Sequence, residues 1–272
     1  MNTYFKYADS DISAHYCCDE TPEPRNFKMH THDRYELFCF FGGKGIYKIE
    51  GTRYSLEAGD ILIMRPAESH YIEISPDSPY TRLVINFEAR LFDSVDREHK
   101  LISAYTDRKN GHFNLYRSSD FGSEDYLVYI KKIISPSRNR GLQIISNLIP
   151  LLNEISIAFQ SKNEDSINDS PDYRIIRYIN RNLSNSITLD DICREFFISK
   201  PQLCRMFKAA TGSTVWDYIT VKRLVTAKNL IQSGRSPTKI YTECGFSDYS
   251  SFYRAYRKKY GVSPSDTVSP GF

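Results

Sequence analysis

A pattern that occurs twice in the last hundred residues constrains the fold of this 272-residue chain more than any other feature. In its first copy, Thr188 precedes a short amphipathic helix, and Ser199 precedes a second one after a tight turn. Ser, Thr and Asp side chains are preferred helix N-caps because their oxygens accept bonds from free backbone N–H groups. About fifty residues later, Ser236 and Asp248 occupy the corresponding places. The repeat predicts two helix-turn-helix units.

The second helix of the first copy has one apolar and one polar face. Leu203 and Phe207 lie one turn apart and are predicted to face inward. This leaves Lys200, Gln202 and Arg205 outside, where Arg can pair with guanine and Gln with adenine in the major groove. One such unit also occurs in proteins that never touch DNA, but two copies joined by a helix over 215–231 could enter successive grooves about 34 Å apart.

The charge is distributed unevenly along the chain. Residues 171–272 hold 16 Lys and Arg against 8 Asp and Glu, a net charge of +8. Residues 1–170 hold 20 against 25, a net charge of −5. Because basic side chains release counterions from phosphates, this contrast indicates that the C-terminal part binds nucleic acid.

Two stretches near the end of the chain carry a family resemblance. Residues 245–252 (GFSDYSSF) and 256–264 (YRKKYGVSP) resemble the signature of AraC/XylS-type transcription regulators. The resemblance extends over about 172–264, while Phe197 and Tyr241 depart from it by being larger than usual.

The resemblance implies a set of base-contacting residues, one group on each recognition helix. They are Lys200, Pro201, Gln202 and Arg205 in the first unit and Tyr249, Ser250, Tyr253 and Arg254 in the second. The implied partners are double-stranded DNA, a second copy of the chain and RNA polymerase.

The N-terminal part has a different periodicity. Short apolar runs separated by glycine-rich turns occupy residues 27–87, at 37–41, 46–50, 61–64, 71–74 and 83–87. Many short strands at close spacing predict a sandwich or barrel. Helical spacing follows at 126–134 and in a stripe formed by Leu142, Ile145, Ile149, Leu152, Ile155 and Phe159. This stripe predicts packing on the barrel, dimerisation, or both.

Histidines near the start of the barrel form a candidate site. His30, His32, Arg34 and Glu36 have the same parity and on one strand would share a face, with His70 on a neighbouring strand. The pattern resembles cupin motifs, in which such residues hold a transition metal, whereas AraC-type sensors bind a small organic effector, often a sugar, at this wall. The resemblance therefore implies an effector site, and purely structural histidines are an alternative. A metal is not favoured; its ligands would be His30, His32, Glu36 and His70.

The domain organisation follows from these patterns. The fold class is α+β, with a cupin-like barrel over residues 1–100, a helical and dimerising segment over 101–160, a linker over 161–170 and an all-α tandem helix-turn-helix domain over 171–272. The linker has one apolar residue in ten, which is too few to bury.

The predicted function is that of a sequence-specific transcription regulator controlled by a small effector. We expect no enzymatic activity and no cofactor. We also expect a cytoplasmic location, since no segment approaches the ~20 apolar residues of a membrane span. The alternatives are a constitutive DNA-binding dimer without effector and a metal-dependent cupin enzyme. The second leaves the basic duplicated half unexplained.

Overall fold

The computed structural model describes residues 2–162 and 171–267. The chain divides into two compact units. The N-terminal unit comprises Met1–Lys28 and Arg34–Ile167, and the C-terminal unit comprises Met29–Asp33 and Asn168–Phe272. Of the predicted linker, Ser161 is the last residue of a helix and Lys162 follows it, whereas 163–170 lie outside the described residues.

The part of the N-terminal unit that the structure describes contains two antiparallel sheets. Their strands are β1 (Asn2–Ala8), β2 (Ile12–Asp19), β3 (Tyr35–Gly42), β4 (Gly45–Ile49), β5 (Thr52–Ser55), β6 (Ile61–Met64), β7 (His70–Ile74), β8 (Tyr80–Phe87) and β9 (Leu115–Tyr116). The larger sheet has the order β1-β2-β8-β3-β6-β9, and the smaller has the order β5-β4-β7. The predicted apolar runs correspond to β3, β4, β6, β7 and β8, while β1 and β2 precede the region in which strands were expected.

Alternation along β3 separates two cores. Leu37 and Cys39 pack under helices, whereas Phe38 and Phe40 face the smaller sheet and pack with Tyr47. This division follows from the period of two in a strand, which places successive side chains on opposite faces. The second core forms the interior of the predicted barrel, between the two sheets.

The described part of the N-terminal unit has three α-helices besides short 3-10 turns: α1 (Ser103–Thr106), α2 (Asp125–Ile134) and α3 (Arg140–Ser161). The expected helical segment 101–160 thus contains a stretch without α-helix between α1 and α2, which includes β9. The buried side chains of α3 are mainly those of Ile144, Leu148, Leu151, Leu152, Ile155 and Ala158. The predicted stripe was wrong in phase at Leu142, which is 63% exposed. The helix is buried along a face that includes residues one position away from the expected ones.

Helix α3 also corrects the expectation that no segment approaches the requirements of a membrane span. It is long and apolar enough to cross a membrane by length and composition. Leu148, Leu151 and Leu152 are fully buried against the rest of the unit, as in the core helix of a globular domain.

The C-terminal unit is helical. Its helices are α4 (Pro171–Arg181), α5 (Leu189–Phe196), α6 (Lys200–Thr211), α7 (Val215–Gln232), α8 (Pro237–Glu243) and α9 (Tyr249–Tyr260). Helix α7 contributes to two cores: its first half packs with α4, α5 and α6, and its second half with α8 and α9. The predicted joining helix and both helix-turn-helix units are confirmed.

Candidate nucleic-acid interface and effector site

The first helix-turn-helix unit is fixed by local hydrogen bonds. Thr188 and Asp191 form a reciprocal capping box at the start of α5. The Ser199 side chain accepts a bond from the backbone N–H of Gln202 at 3.4 Å and so caps α6. These caps fix where each helix begins, and therefore which side chains of α6 face outward.

The predicted base-contacting residues of the first helix-turn-helix unit lie on the outer face of α6. Leu203 and Phe207 are buried, while Lys200, Pro201, Gln202 and Arg205 are exposed. Lys200 already forms an ion pair, with its Nζ 2.8 Å from Oδ1 of Asp190 in α5. The hydrogen bond to Asp190 raises the pKa of Lys200. Both side chains of this pair are more than half exposed, so a phosphate or base can displace Asp190 at small cost.

The second helix-turn-helix unit has the same arrangement of cap and buried residues, with different side chains. Asp248 accepts a bond from the backbone N–H of Ser251 at 2.8 Å and caps α9. This bond lowers the pKa of Asp248, which stays ionised at the positive end of the helix. Phe252 and Tyr256 are buried, and Ser250 and Arg254 are exposed. Counted from the caps, Arg205 and Arg254 occupy the same helical position.

Tyrosines give the second unit a more aromatic surface. Tyr249 and Tyr253 are half-buried, with ring centroids 6.3 Å apart. Tyr241, one of the departures from the family pattern, packs edge-on against Tyr249 at 5.7 Å. Its larger side chain therefore supports a tyrosine of the recognition helix.

Arg223 of α7 contacts both helix-turn-helix units of the C-terminal unit. Sequence reasoning did not anticipate this role. Its guanidinium donates to the carbonyls of Leu183 at 2.8 Å and Asn185 at 2.9 Å, in the loop before α5. It also lies 6.0 Å from the ring of Phe246, in the turn before α9. The bonds to carbonyl oxygens explain why a half-buried cation is tolerated at this joint.

The predicted effector residues do not form one row. The shared face expected over residues 30–36 does not form, because β3 begins only at Tyr35. Arg34 donates to the carbonyl of Ser10 at 2.6 Å and lies 3.4 Å from Glu88.

Glu36 and His70 are the predicted effector residues that the N-terminal unit brings together. His30 and His32 belong to the segment that groups with the C-terminal unit, with ring centroids 6.2 Å apart. Within the barrel, Glu36 Oε1 lies 3.8 Å from His70 Nε2. Both of these side chains are buried.

Strand β8 contributes two polar groups to the barrel interior that sequence reasoning missed. Asn86 lies opposite Glu36, and Arg82 lies opposite Phe40. The guanidinium carbon of Arg82 is 4.3 Å from the ring centroid of Tyr80. Arg82 Nη1 and Asn86 Oδ1 are buried, and neither has a hydrogen-bond partner within the described part of the chain. The alternation Tyr80, Arg82, Val84, Asn86 was the available signal, since it places Arg and Asn on a core-facing side.

Two phenols in the barrel interior have raised pKa values. Burial raises the pKa of Tyr47, and the charge and hydrogen bond of Glu36 raise it further. Burial likewise raises the pKa of Tyr80, although the positive charge of Arg82 opposes this. Both phenols therefore stay protonated. The interior offers hydrogen-bond donors and acceptors beside aromatic rings.

These features together define a class of protein. A basic unit with two helix-turn-helix motifs and a β-sheet unit with a few polar groups in its interior are the parts of a two-domain transcription regulator.

Two family models and several sequence relatives agree with this class. The family model described as "AraC-like ligand binding domain" matches residues 14–110, and "Helix-turn-helix domain" matches residues 192–269. The chain is 24% identical over 245 residues to the HTH-type transcriptional activator RhaS of Escherichia fergusonii, covering 88% of this chain and 87% of RhaS. It is 23% identical over 273 residues to the Msm operon regulatory protein of Streptococcus mutans, covering 97% and 96%. The crystal structure of ToxT from Vibrio cholerae matches with 13% identity and a TM-score of 0.39, over 97% of this chain and 100% of ToxT.

The chain is an AraC-type transcription regulator that combines an AraC-like ligand-binding domain with a helix-turn-helix DNA-binding domain. The predicted family, fold class and function class are confirmed.

Proposed function

We propose that the protein binds paired half-sites in double-stranded DNA as a homodimer, each subunit presenting α6 and α9 to successive major grooves. The observation that supports this proposal is that α6 and α9 place their caps, buried residues and exposed arginines at the same positions. In each, two buried side chains one turn apart fix the rotation of the helix, and Arg205 and Arg254 project from the same outer position. Arginine at such a position suits bidentate bonding to guanine.

The proposed base contacts are Lys200, Pro201, Gln202 and Arg205 from α6, and Tyr249, Ser250, Tyr253 and Arg254 from α9. Arg205 and Arg254 are the strongest of these candidates, since both are exposed and carry a permanent charge. Lys200 must first leave Asp190. The half-buried rings of Tyr249 and Tyr253 suit apolar contacts such as thymine methyl groups better than hydrogen bonds.

The proposed effector is a small neutral compound rich in hydroxyl groups, such as a monosaccharide, bound in the barrel. Its hydroxyls would accept from Arg82 and donate to Asn86 and Glu36, beside His70. Burying a polar group without a hydrogen bond costs free energy. A ligand that supplies the bonds missing at Arg82 Nη1 and Asn86 Oδ1 would recover that cost and stabilise the unit on binding.

We further propose that the protein acts in the cytoplasm together with RNA polymerase, without enzymatic activity or a cofactor. Regulation requires that the effector bind two arrangements of the DNA-binding domains with different affinities.

Selection of random duplexes by the full-length protein, at two salt concentrations, tests the DNA-binding proposal. We expect a split motif with two blocks about one helical turn apart. Weak and steeply salt-dependent binding without enrichment, in the presence and absence of sugars, would contradict it.

A melting-temperature screen of sugars and divalent metals tests the effector proposal. A dose-dependent rise with a sugar supports it and argues against constitutive binding. A rise with metals alone would favour the metal alternative.

A further inference from the structure

Phe197, in the turn of the first helix-turn-helix unit, combines two unfavourable features. Its backbone is left-handed, with φ of 53°, a conformation that is a genuine outlier for a bulky residue. Its side chain is 95% exposed, more than that of any other exposed large hydrophobic residue described. A strained backbone carrying a solvated phenyl ring stabilises neither the turn nor the core.

The second unit of the same chain shows what the turn itself requires. There the left-handed residue is Gly245, with φ of 87°. The next residue, Phe246, packs its ring 5.3 Å from Phe252 in the core. In the first unit this packing role falls to Ile198, which lies against the first core. The ring of Phe197 is therefore additional to what a helix-turn-helix turn needs.

The position of Phe197 indicates what the ring contacts. It lies two residues before Ser199, the cap of α6, and the N-terminal residues of a recognition helix are those that reach base edges. A phenyl ring has no hydrogen bonds to offer a base, but it packs well on the C5 methyl group of thymine. The net charge of +8 over residues 171–272 makes DNA the fitting partner for this surface.

We propose that the ring of Phe197 contacts a thymine methyl group at the edge of the half-site read by α6, and so adds a specificity determinant in the turn. This inference rests on the proposed DNA-binding function, and it assigns a base contact to a residue outside both recognition helices.

A uracil scan of a selected duplex tests the contact directly. Each thymine is replaced in turn by deoxyuridine, which lacks only the methyl group, and the affinity of the full-length protein is measured. We expect one replacement to weaken wild-type binding about threefold to fivefold, the effect of losing one buried methyl group. Phe197→Asn should bind the original duplex more weakly and should not respond to that replacement, whereas Phe197→Tyr should still respond.

The choice of asparagine separates a lost contact from a damaged fold. Asn tolerates the left-handed conformation, so Phe197→Asn should melt at the same or a higher temperature than wild type. A variant that gains stability and loses affinity at one thymine has lost a contact to DNA.

Four outcomes would overturn the inference. Specific binding by wild type without any response to uracil would overturn the Phe197 contact but leave the proposed DNA-binding function intact. A Phe197→Asn variant with wild-type uracil sensitivity would do the same. Unchanged DNA affinity of Phe197→Asn with reduced transcription by purified RNA polymerase would assign the ring to a protein contact instead. Failure of wild type to select any duplex would overturn the proposed function as well.

Discussion

Glu68 and Arg108 form a two-bonded ion pair inside the N-terminal unit. Arg108 Nη1 and Nη2 each donate to one carboxylate oxygen of Glu68 at 2.6 Å, and neither side chain is exposed. The backbone N–H of Gly111 adds a third bond to Glu68 at 2.9 Å. The pair joins the loop after α1 to the turn between β6 and β7.

Breaking this pair on one side should destabilise the protein strongly. Glu68→Gln leaves the buried guanidinium of Arg108 without a counter-charge, and we expect the free energy of unfolding to fall by about 3–5 kcal/mol. The double variant Glu68→Met, Arg108→Leu should recover part of this loss. Arg235→Gln, at an exposed ion pair with Glu243, is the control and should cost under about 1 kcal/mol. Denaturant titration measures all of these, and equal losses at the two sites would contradict the prediction.

The same pair predicts a pH dependence. Burial raises the pKa of Glu68, but the charge and hydrogen bonds of Arg108 outweigh this and lower it from 4.5 to about 2. Because the folded pKa is the lower one, the stabilisation is complete above the unfolded value of 4.5 and is lost as the pH falls towards 2. Unfolding free energies measured across this window should fall more steeply for wild type than for the double variant. Parallel curves would show that Glu68 does not titrate with folding.

Arg205→Ala and Arg254→Ala should each remove one base preference. If each guanidinium reads a guanine, the loss should be about 1–3 kcal/mol at one base pair and small at the others. Affinities for a set of single-base operator variants measure this. Arg53→Ala, on β5 of the N-terminal unit, is a matched control and should change no affinity. A uniform loss across all operators would show that Arg205 and Arg254 contact only phosphates.

Arg82→Met should abolish the effector response without unfolding the barrel. Methionine fills a similar volume and removes a half-buried charge, so the melting temperature should stay constant or rise. The shift in melting temperature caused by the effector should disappear, as it should for Asn86→Leu. Arg53→Met, on the exposed part of β5, should keep the full shift. A retained shift in Arg82→Met would place the effector elsewhere.

Two glycines with nearly the same backbone conformation should differ in their tolerance of alanine. Gly234 and Gly245 have φ of 85° and 87°. A Cβ at Gly234 would meet no described atom within 4 Å, whereas one at Gly245 would collide with the Leu183 carbonyl and the Arg223 guanidinium. We expect Gly234→Ala to cost about 1 kcal/mol and Gly245→Ala considerably more, as measured by thermal unfolding. Equal costs would mean that the Leu183 carbonyl and the Arg223 guanidinium can move away from the added methyl group.

The local features of the helix-turn-helix units could be predicted because their causes are close in sequence. The cap at Ser199 depends on a residue three positions away, and the inward turn of Leu203 and Phe207 depends on helical period alone. The strands of the barrel followed from alternation in the same way, although β1 and β2 were missed. The phase of α3 was only partly right, because which apolar residues of a helix are buried depends on the sheet beneath it.

The sequence alone determined where most of the helices and strands form, which part of the chain is basic, and that the chain contains a duplicated helix-turn-helix. Only the tertiary structure decided which polar groups meet in the barrel. Arg82 lies opposite Cys17 on one neighbouring strand and Phe40 on the other, and these pairings join residues far apart in the chain. The reason is physical: strand register is set by the packing of the whole sheet, and a shift of one residue would turn Arg82 and Asn86 to the opposite face.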